Sequence, residues 1–240
     1  MVLIVAVIAV LGVAAPVAGA NVAPERHRFS GHLPALPSPV YFAYDAADSH
    51  VPEVAWFAAP DAPDPGGVLP NPTPEGFPLS FLVRQARGDW LEVLIPARPN
   101  GTVGWIHRSD VNLRPVVNRI VVELGARHLT VFHGNQQLLQ TTVAVGTDRT
   151  PTPTGDFFVD IVMHPPRPGG AYGVTLLSVA AYSDVLEHFG GGIGQIAIHG
   201  TNRPDLIGQA VSHGCVRMTN EDVVQVEALA PVGTPVSIVP

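Results

Sequence analysis

Residues Ile198–Met218 read IHGTNRPDLIGQAVSHGCVRM, a stretch that holds the only cysteine of the chain, Cys215, and two histidines, His199 and His213. A lone cysteine makes no intrachain disulfide, so its thiol is free for chemistry. A neutral thiol is a poor nucleophile, and a neighbouring imidazole that takes its proton makes it a good one. Cys215 lies two positions from His213, which on an extended strand would put both side chains on one side; on a tight turn it would not. His199 ends a separate apolar run, Gln195–Ile198, and can approach the sulfur from across a sheet. Spacing alone leaves the choice of base open. Gly200 and Gly214 let backbone groups come close to a reacting centre. The amides of Gly214 and Cys215 are candidate donors to an oxyanion, a role worth about 10²–10³ in rate per donor. The stretch reads as an acyl-transfer site.

The rest of the composition narrows the alternatives. At 240 residues, 46% of them hydrophobic, the chain can build one large domain or two modest ones. All 13 basic residues are arginine, which excludes a Ser-Lys dyad, a Schiff-base lysine and a P-loop. A formal net charge of -7 offers no basic face to a polyanion, so no nucleic-acid partner is expected. Zinc would need three or four ligands, and one cysteine with two distant histidines lacks the paired spacing of such sites. His164 and His188 would complete a set only by coincidence of folding, so no metal and no cofactor is expected. With 25 prolines and 24 glycines, the chain favours short strands and many turns over long helices.

Downstream of the thiol, Asn220 is expected to cap a helix with Glu221 and Asp222 in its first turn, and Pro235–Val239 to form a closing strand. Upstream, Ile120–Leu124, Leu129–Phe132 and Leu138–Val145 read as an antiparallel meander, followed by a rigid VGTDRTPTPTGD loop and a strand over Phe157–Met163. The Pro/Gly stretch from His164 to Gly170 reads as a lid or cleft wall. Ser183–Phe189 is expected to be a short helix capped by Ser183 and ended by Gly190-Gly191-Gly192.

Further toward the N-terminus, residues 1–20 form an uncharged apolar run ending Ala18-Gly19-Ala20, the pattern of a cleaved secretory signal, with a retained membrane anchor as the alternative. Either way the rest is expected outside the cytoplasm. Residues 21–50 are rich in proline and alanine and read as a linker. Residues 51–114 change to short strands, around Phe81–Arg84, Trp90–Ile95 and Gly104–Ile106, with turns at Gly88-Asp89 and Asn100-Gly101. Trp90 and the Gly104-Trp105 pair resemble a bacterial SH3-like domain. Contact with the cell wall is one role for its aromatics; packing in the core of a spacer is the favoured one.

The H-G-T at His199, the thirteen residues that follow His199 before His213, and then S-H-G-C-V-R-M resemble the signature of the L,D-transpeptidase family, whose catalytic domain is called YkuD. The upstream VGT…TPTGDF is similar to another stretch of that domain, and the resemblance covers residues 116–240. It implies a mainly β protein: a small SH3-like β-barrel followed by a β-sandwich-like catalytic domain with short helices. It also implies Cys215 as nucleophile, His199 as base and the Gly200 carbonyl orienting the imidazole. Ser212, His213 and Gly214 would shape the oxyanion and substrate pocket. Arg217 would meet a substrate carboxylate or a structural acid, and Tyr172 would belong to the lid. The implied substrates are peptidoglycan stem peptides, as donor and acceptor. The implied reaction releases D-alanine from a tetrapeptide stem through a thioester and forms a 3→3 cross-link; with water as acceptor it would be an L,D-carboxypeptidase. A monomer is expected.

NlpC/P60 peptidases place cysteine before histidine along the chain, the reverse of the order here. Sortases carry a T-L-x-T-C motif that this chain lacks. A wall-binding protein without catalysis would not need both His199 and Cys215.

Overall fold

The computed structural model describes residues 44–189 and 192–240. The expected signal or anchor and residues 21–43 of the expected linker lie outside the described residues, as do Gly190 and Gly191. Two lobes follow one another along the chain. The first contains β1 (Tyr44–Ser49), β2 (Glu53–Trp56), β3 (Gly67–Pro70), β4 (Ser80–Arg87), β5 (Trp90–Leu94), β6 (Val103–His107) and β7 (Val111–Val116). The second contains β8 (Asn118–Glu123), β9 (His128–His133), β10 (Gln136–Thr142), β11 (Val145–Gly146), β12 (Gly155–Met163), β13 (Leu176–Tyr182), β14 (Gln195–His199), β15 (Ala210–Ser212), β16 (Val216–Arg217), α1 (Asn220–Leu229) and β17 (Pro235–Val239).

In the first lobe five strands pair in the order β6-β5-β4-β1-β7, and β2 and β3 form a separate hairpin. The residues that read as the end of a linker, 44–49, are β1, hydrogen-bonded between β4 and β7. Alanine has little preference for strands, which hides β1 in the sequence. Its small side chains are nevertheless what the position requires, because Ala46 and Ala47 are fully buried and a Cβ on Gly233 would collide with Ala46. The turns at Gly88 and Gly101 form as the sequence indicates, both with positive φ (57° and 77°). Trp56, which the sequence does not single out, lies so close to Gly66, Gly67 and Gly104 that none of them could carry a side chain without displacing it.

In the second lobe eight strands pair in the order β10-β9-β8-β17-β12-β13-β14-β16. β8, β9 and β10 are the expected antiparallel meander, but β17 returns parallel to β8 and makes the sheet mixed. One face of this sheet and α1 share a single core, from Leu129 and Val131 through Phe157 and Val159 to Ile196, Ile198, Val223 and Val226. Alternation along β12 sends Phe158 to the other face, where it joins Tyr44, Ala46, Leu82, Leu94, Val116 and Ala180 in an apolar junction between the lobes.

Two local expectations are corrected. Ser183–Phe189 is not a helix. The Ser183 hydroxyl accepts hydrogen bonds from the Val185 and Leu186 amides, as a cap would, but the Ser183 and Leu186 carbonyls bond to the Arg98 guanidinium instead of to amides one turn on. The cap of α1 is Thr219, whose hydroxyl accepts from the Asp222 amide at 3.1 Å; Asn220 is the first helical residue.

Candidate active site

β14 delivers His199. Its alternation buries Ile196 and Ile198 in the core and turns Gln195, Ala197 and His199 to the opposite face. β16 runs parallel to β14 with Ile198 opposite Val216 and His199 opposite Arg217, so one step back along the register sets Cys215 beside Ala197. The Ala197 amide lies near the Cys215 sulfur and favours its charged form.

The turn that presents the thiol is internally tied. The Ser212 hydroxyl donates to the Cys215 carbonyl at 2.6 Å and accepts from the Gly214 amide at 3.1 Å. Gly214 has φ +115°, and a Cβ there would lie 2.9 Å from Ile196 Cδ1, so glycine is required by both conformation and space. The Gly214 amide donates to Ser212, whereas the Cys215 amide makes no such bond among the described residues. The VGTDRTPT loop supports the turn from behind: β11 pairs with β15, and the Ser212 carbonyl accepts from the Thr147 amide and the Thr150 hydroxyl.

His199 is buried, and its Nδ1 lies 2.6 Å from the Gly200 carbonyl oxygen. A carbonyl only accepts, so Nδ1 carries the proton and Nε2 keeps the lone pair that a base needs. Asn220 fixes this arrangement from below. Its Oδ1 accepts from the Val174 amide and fills the space beside Gly173 and Gly200, where any Cβ would collide with it.

Electrostatics set the resting protonation. Burial lowers the His199 pKa to about 4, with the Gly200 carbonyl acting against the shift and the Arg217 charge adding to it. Burial raises the Cys215 thiol, opposed by the Ala197 amide and by Arg217. The pair is therefore neutral thiol and neutral imidazole at neutral pH, not the thiolate–imidazolium pair that the residue types alone allow. Arg217 acts electrostatically on Tyr172, His199 and Cys215, and no ion pair among the described residues engages it.

Of the residues singled out in the sequence, Tyr172 and Arg217 lie within electrostatic reach of Cys215, and Arg217 also within reach of His199. The Tyr172 ring stands edge-on to His199, 5.0 Å between centroids. His213 stacks on Phe189, 4.8 Å between centroids and 26° between planes. Sequence reasoning missed Phe189, which arrives from a distant loop, and the wedge made by Asn220. Among the described residues no group of three or more histidine, cysteine or acidic side chains is placed to hold a metal ion.

A family model described as the L,D-transpeptidase catalytic domain, YkuD, matches residues 117–238. The chain is 41% identical over 181 residues to a Bacillus licheniformis protein assigned as the L,D-transpeptidase YkuD, covering 72% of this chain and 97% of that one. It is 40% identical over 119 residues to the Bacillus subtilis protein of the same name, covering 50% and 64%. Among solved structures, Bdellovibrio bacteriovorus Bd1075 is 24% identical with a TM-score of 0.41, covering 52% of this chain and 47% of that one.

Proposed function

The chain belongs to the YkuD family of L,D-transpeptidase catalytic domains, and from that premise we propose that it is an exported cysteine acyltransferase that acts on peptidoglycan tetrapeptide stems and forms 3→3 cross-links. The observation that carries the reading is the His199 Nδ1 contact to the Gly200 carbonyl at 2.6 Å, which directs the base lone pair to Nε2 while β16 sets the thiol on the adjoining strand.

In this reading the Cys215 sulfur attacks the carbonyl carbon of the third stem residue as His199 Nε2 takes the thiol proton. The Cys215 amide donates to the oxygen on which charge develops. Collapse of the tetrahedral intermediate breaks the bond to D-alanine, whose nitrogen receives the proton held by His199, and leaves a thioester. The amine of a second stem attacks the thioester, gives its proton to His199, and the thiol is restored with the proton that follows. Arg217, without an acidic partner among the described residues, is available to a carboxylate of the stem. Tyr172 walls the imidazole side. The first lobe, read as an SH3-like module, steadies the catalytic lobe through the Phe158 junction.

Purified protein incubated with a tetrapeptide stem is expected to release D-alanine and yield 3→3-linked dimers, and Cys215→Ala to do neither. Release of D-alanine with tripeptide alone as co-product would assign the L,D-carboxypeptidase reaction. No release by the wild type would reject acyl transfer.

A further inference from the structure

The loop between β13 and β14 carries Phe189, and the first lobe holds that loop by its neck. Arg98 donates from Nη1 to the Ser183 carbonyl at 2.8 Å and from Nη2 to the Leu186 and Ile193 carbonyls at 3.0 and 3.2 Å. One guanidinium therefore ties the outgoing and returning arms together. Beside it, Asn100 pairs with both backbone groups of Tyr182, accepting from its amide at 2.8 Å and donating to its carbonyl at 2.7 Å. The Tyr182 hydroxyl donates to the Pro96 carbonyl at 2.7 Å, and its ring lies under Arg98. Gly194 keeps the neck narrow: it has φ +70°, and a Cβ there would collide with the Leu186 carbonyl.

Farther out, Phe189 and Gly192 exchange two backbone hydrogen bonds, at 3.1 and 2.9 Å, and the Phe189 ring stacks on His213. His213 lies inside the Ser212-tied turn that ends in Cys215. Val185, Phe189 and Ile193 leave large apolar surfaces exposed along this loop. Among its described residues the loop has no helix and only the Phe189–Gly192 bridge of its own, and the carbonyls of its neck go to a residue some ninety positions upstream.

We propose that Arg98 and Asn100 are positioning residues for the thiol site: they hold the Ser183–Ile193 loop so that Phe189 packs on His213 and forms an apolar wall for the bound stem beside Cys215. The first lobe then contributes to substrate binding without touching substrate. The kinetic part of this claim rests on the acyl-transfer reading above; the geometric part does not. The lobes are joined independently by the Phe158 junction, so loss of Arg98 releases the loop and leaves the lobes together.

The test uses the full chain with Arg98→Ala, Phe189→Ala and the double variant, and Asn100→Ala as a second probe in case Arg98→Ala does not fold. NMR of the His213 ring protons reads the stack directly, because the Phe189 ring current displaces them. Arg98→Ala is expected to move these resonances to the positions seen in Phe189→Ala, with the melting temperature within a few degrees of wild type. In D-alanine release, each single variant is expected to raise KM and lower kcat/KM about 10-fold, and the double variant to lower it no further, as expected for residues acting through one contact. Wild-type His213 resonances in Arg98→Ala, or an additive loss in the double variant, would overturn the proposal. A wild-type protein that releases no D-alanine but shows the NMR shifts would fail the acyl-transfer reading and leave the positioning intact.

Discussion

The neutral resting state of the Cys215–His199 pair leads to a sharp expectation for thiol reactivity as a function of pH. His199 is held at about 4, and Cys215 lies above its ordinary 9.0. Burial thus works against the charged form of both partners, a stored thiolate–imidazolium pair is disfavoured at neutral pH, and proton transfer belongs to the attack itself. Alkylation of Cys215 by iodoacetamide reports the thiolate directly. The logarithm of its rate is expected to climb by about one for each pH unit between pH 6 and 8, with no plateau at lower pH. His199→Ala is expected to leave that climb nearly unchanged while lowering kcat/KM for D-alanine release by about 10²–10⁴, the usual contribution of a positioned base. A flat alkylation rate from pH 5 to 8, lost in His199→Ala, would show a stored ion pair and refute the reasoning.

Stability responds to the same burial. His199 titrates at about 4 in the fold and 6.5 outside it, so its contribution of roughly 3 kcal/mol is present above pH 6.5 and lost as pH falls toward 4. Asp160, buried and bonded to Gln195, is raised from 3.8 to about 6, so its contribution of similar size is present below 3.8 and lost as pH rises through 6. The two slopes oppose one another between pH 4 and 6. Urea unfolding of Asp160→Asn should therefore show a steeper loss of stability from pH 6.5 to 4 than wild type, and equal slopes would contradict the assignment. Gly214→Ala, which meets both a φ of +115° and Ile196 at 2.9 Å, is expected to cost about 1–3 kcal/mol in unfolding experiments and to lower D-alanine release more than stability alone accounts for. Phe158→Ala empties the fully buried centre of the lobe junction and is expected to cost about 3–5 kcal/mol in the same measurement.

Much of this architecture was legible because local pattern and tertiary role agree. Pro235–Val239, β-rich in composition, is a strand at the bounds read from sequence, and the Ile198–Met218 stretch announces its glycine-bracketed turn. Where reading failed, a partner distant in sequence decided the outcome. Ser183–Phe189 has a capping serine and acidic first turn, yet Arg98 takes its carbonyls. β1 has the composition of a linker and becomes a strand because β4 and β7, distant in sequence, pair with it on both sides. The bond from the Gly214 amide to the Ser212 hydroxyl, two residues away, is likewise set by the turn and not by residue type. The neutrality of the His199–Cys215 pair follows from burial, which residue types do not carry.

The central claim is that Cys215 carries the acyl group. Rapid acid quenching of the full chain with a tetrapeptide stem, followed by intact-mass and peptide mass spectrometry, tests it most directly. The account predicts a hydroxylamine-labile adduct with the mass of the stem less D-alanine, confined to the peptide containing Cys215 and absent from Cys215→Ala. D-alanine release by an active preparation with Cys215 unmodified at every quench time, or persisting in Cys215→Ala, would contradict it.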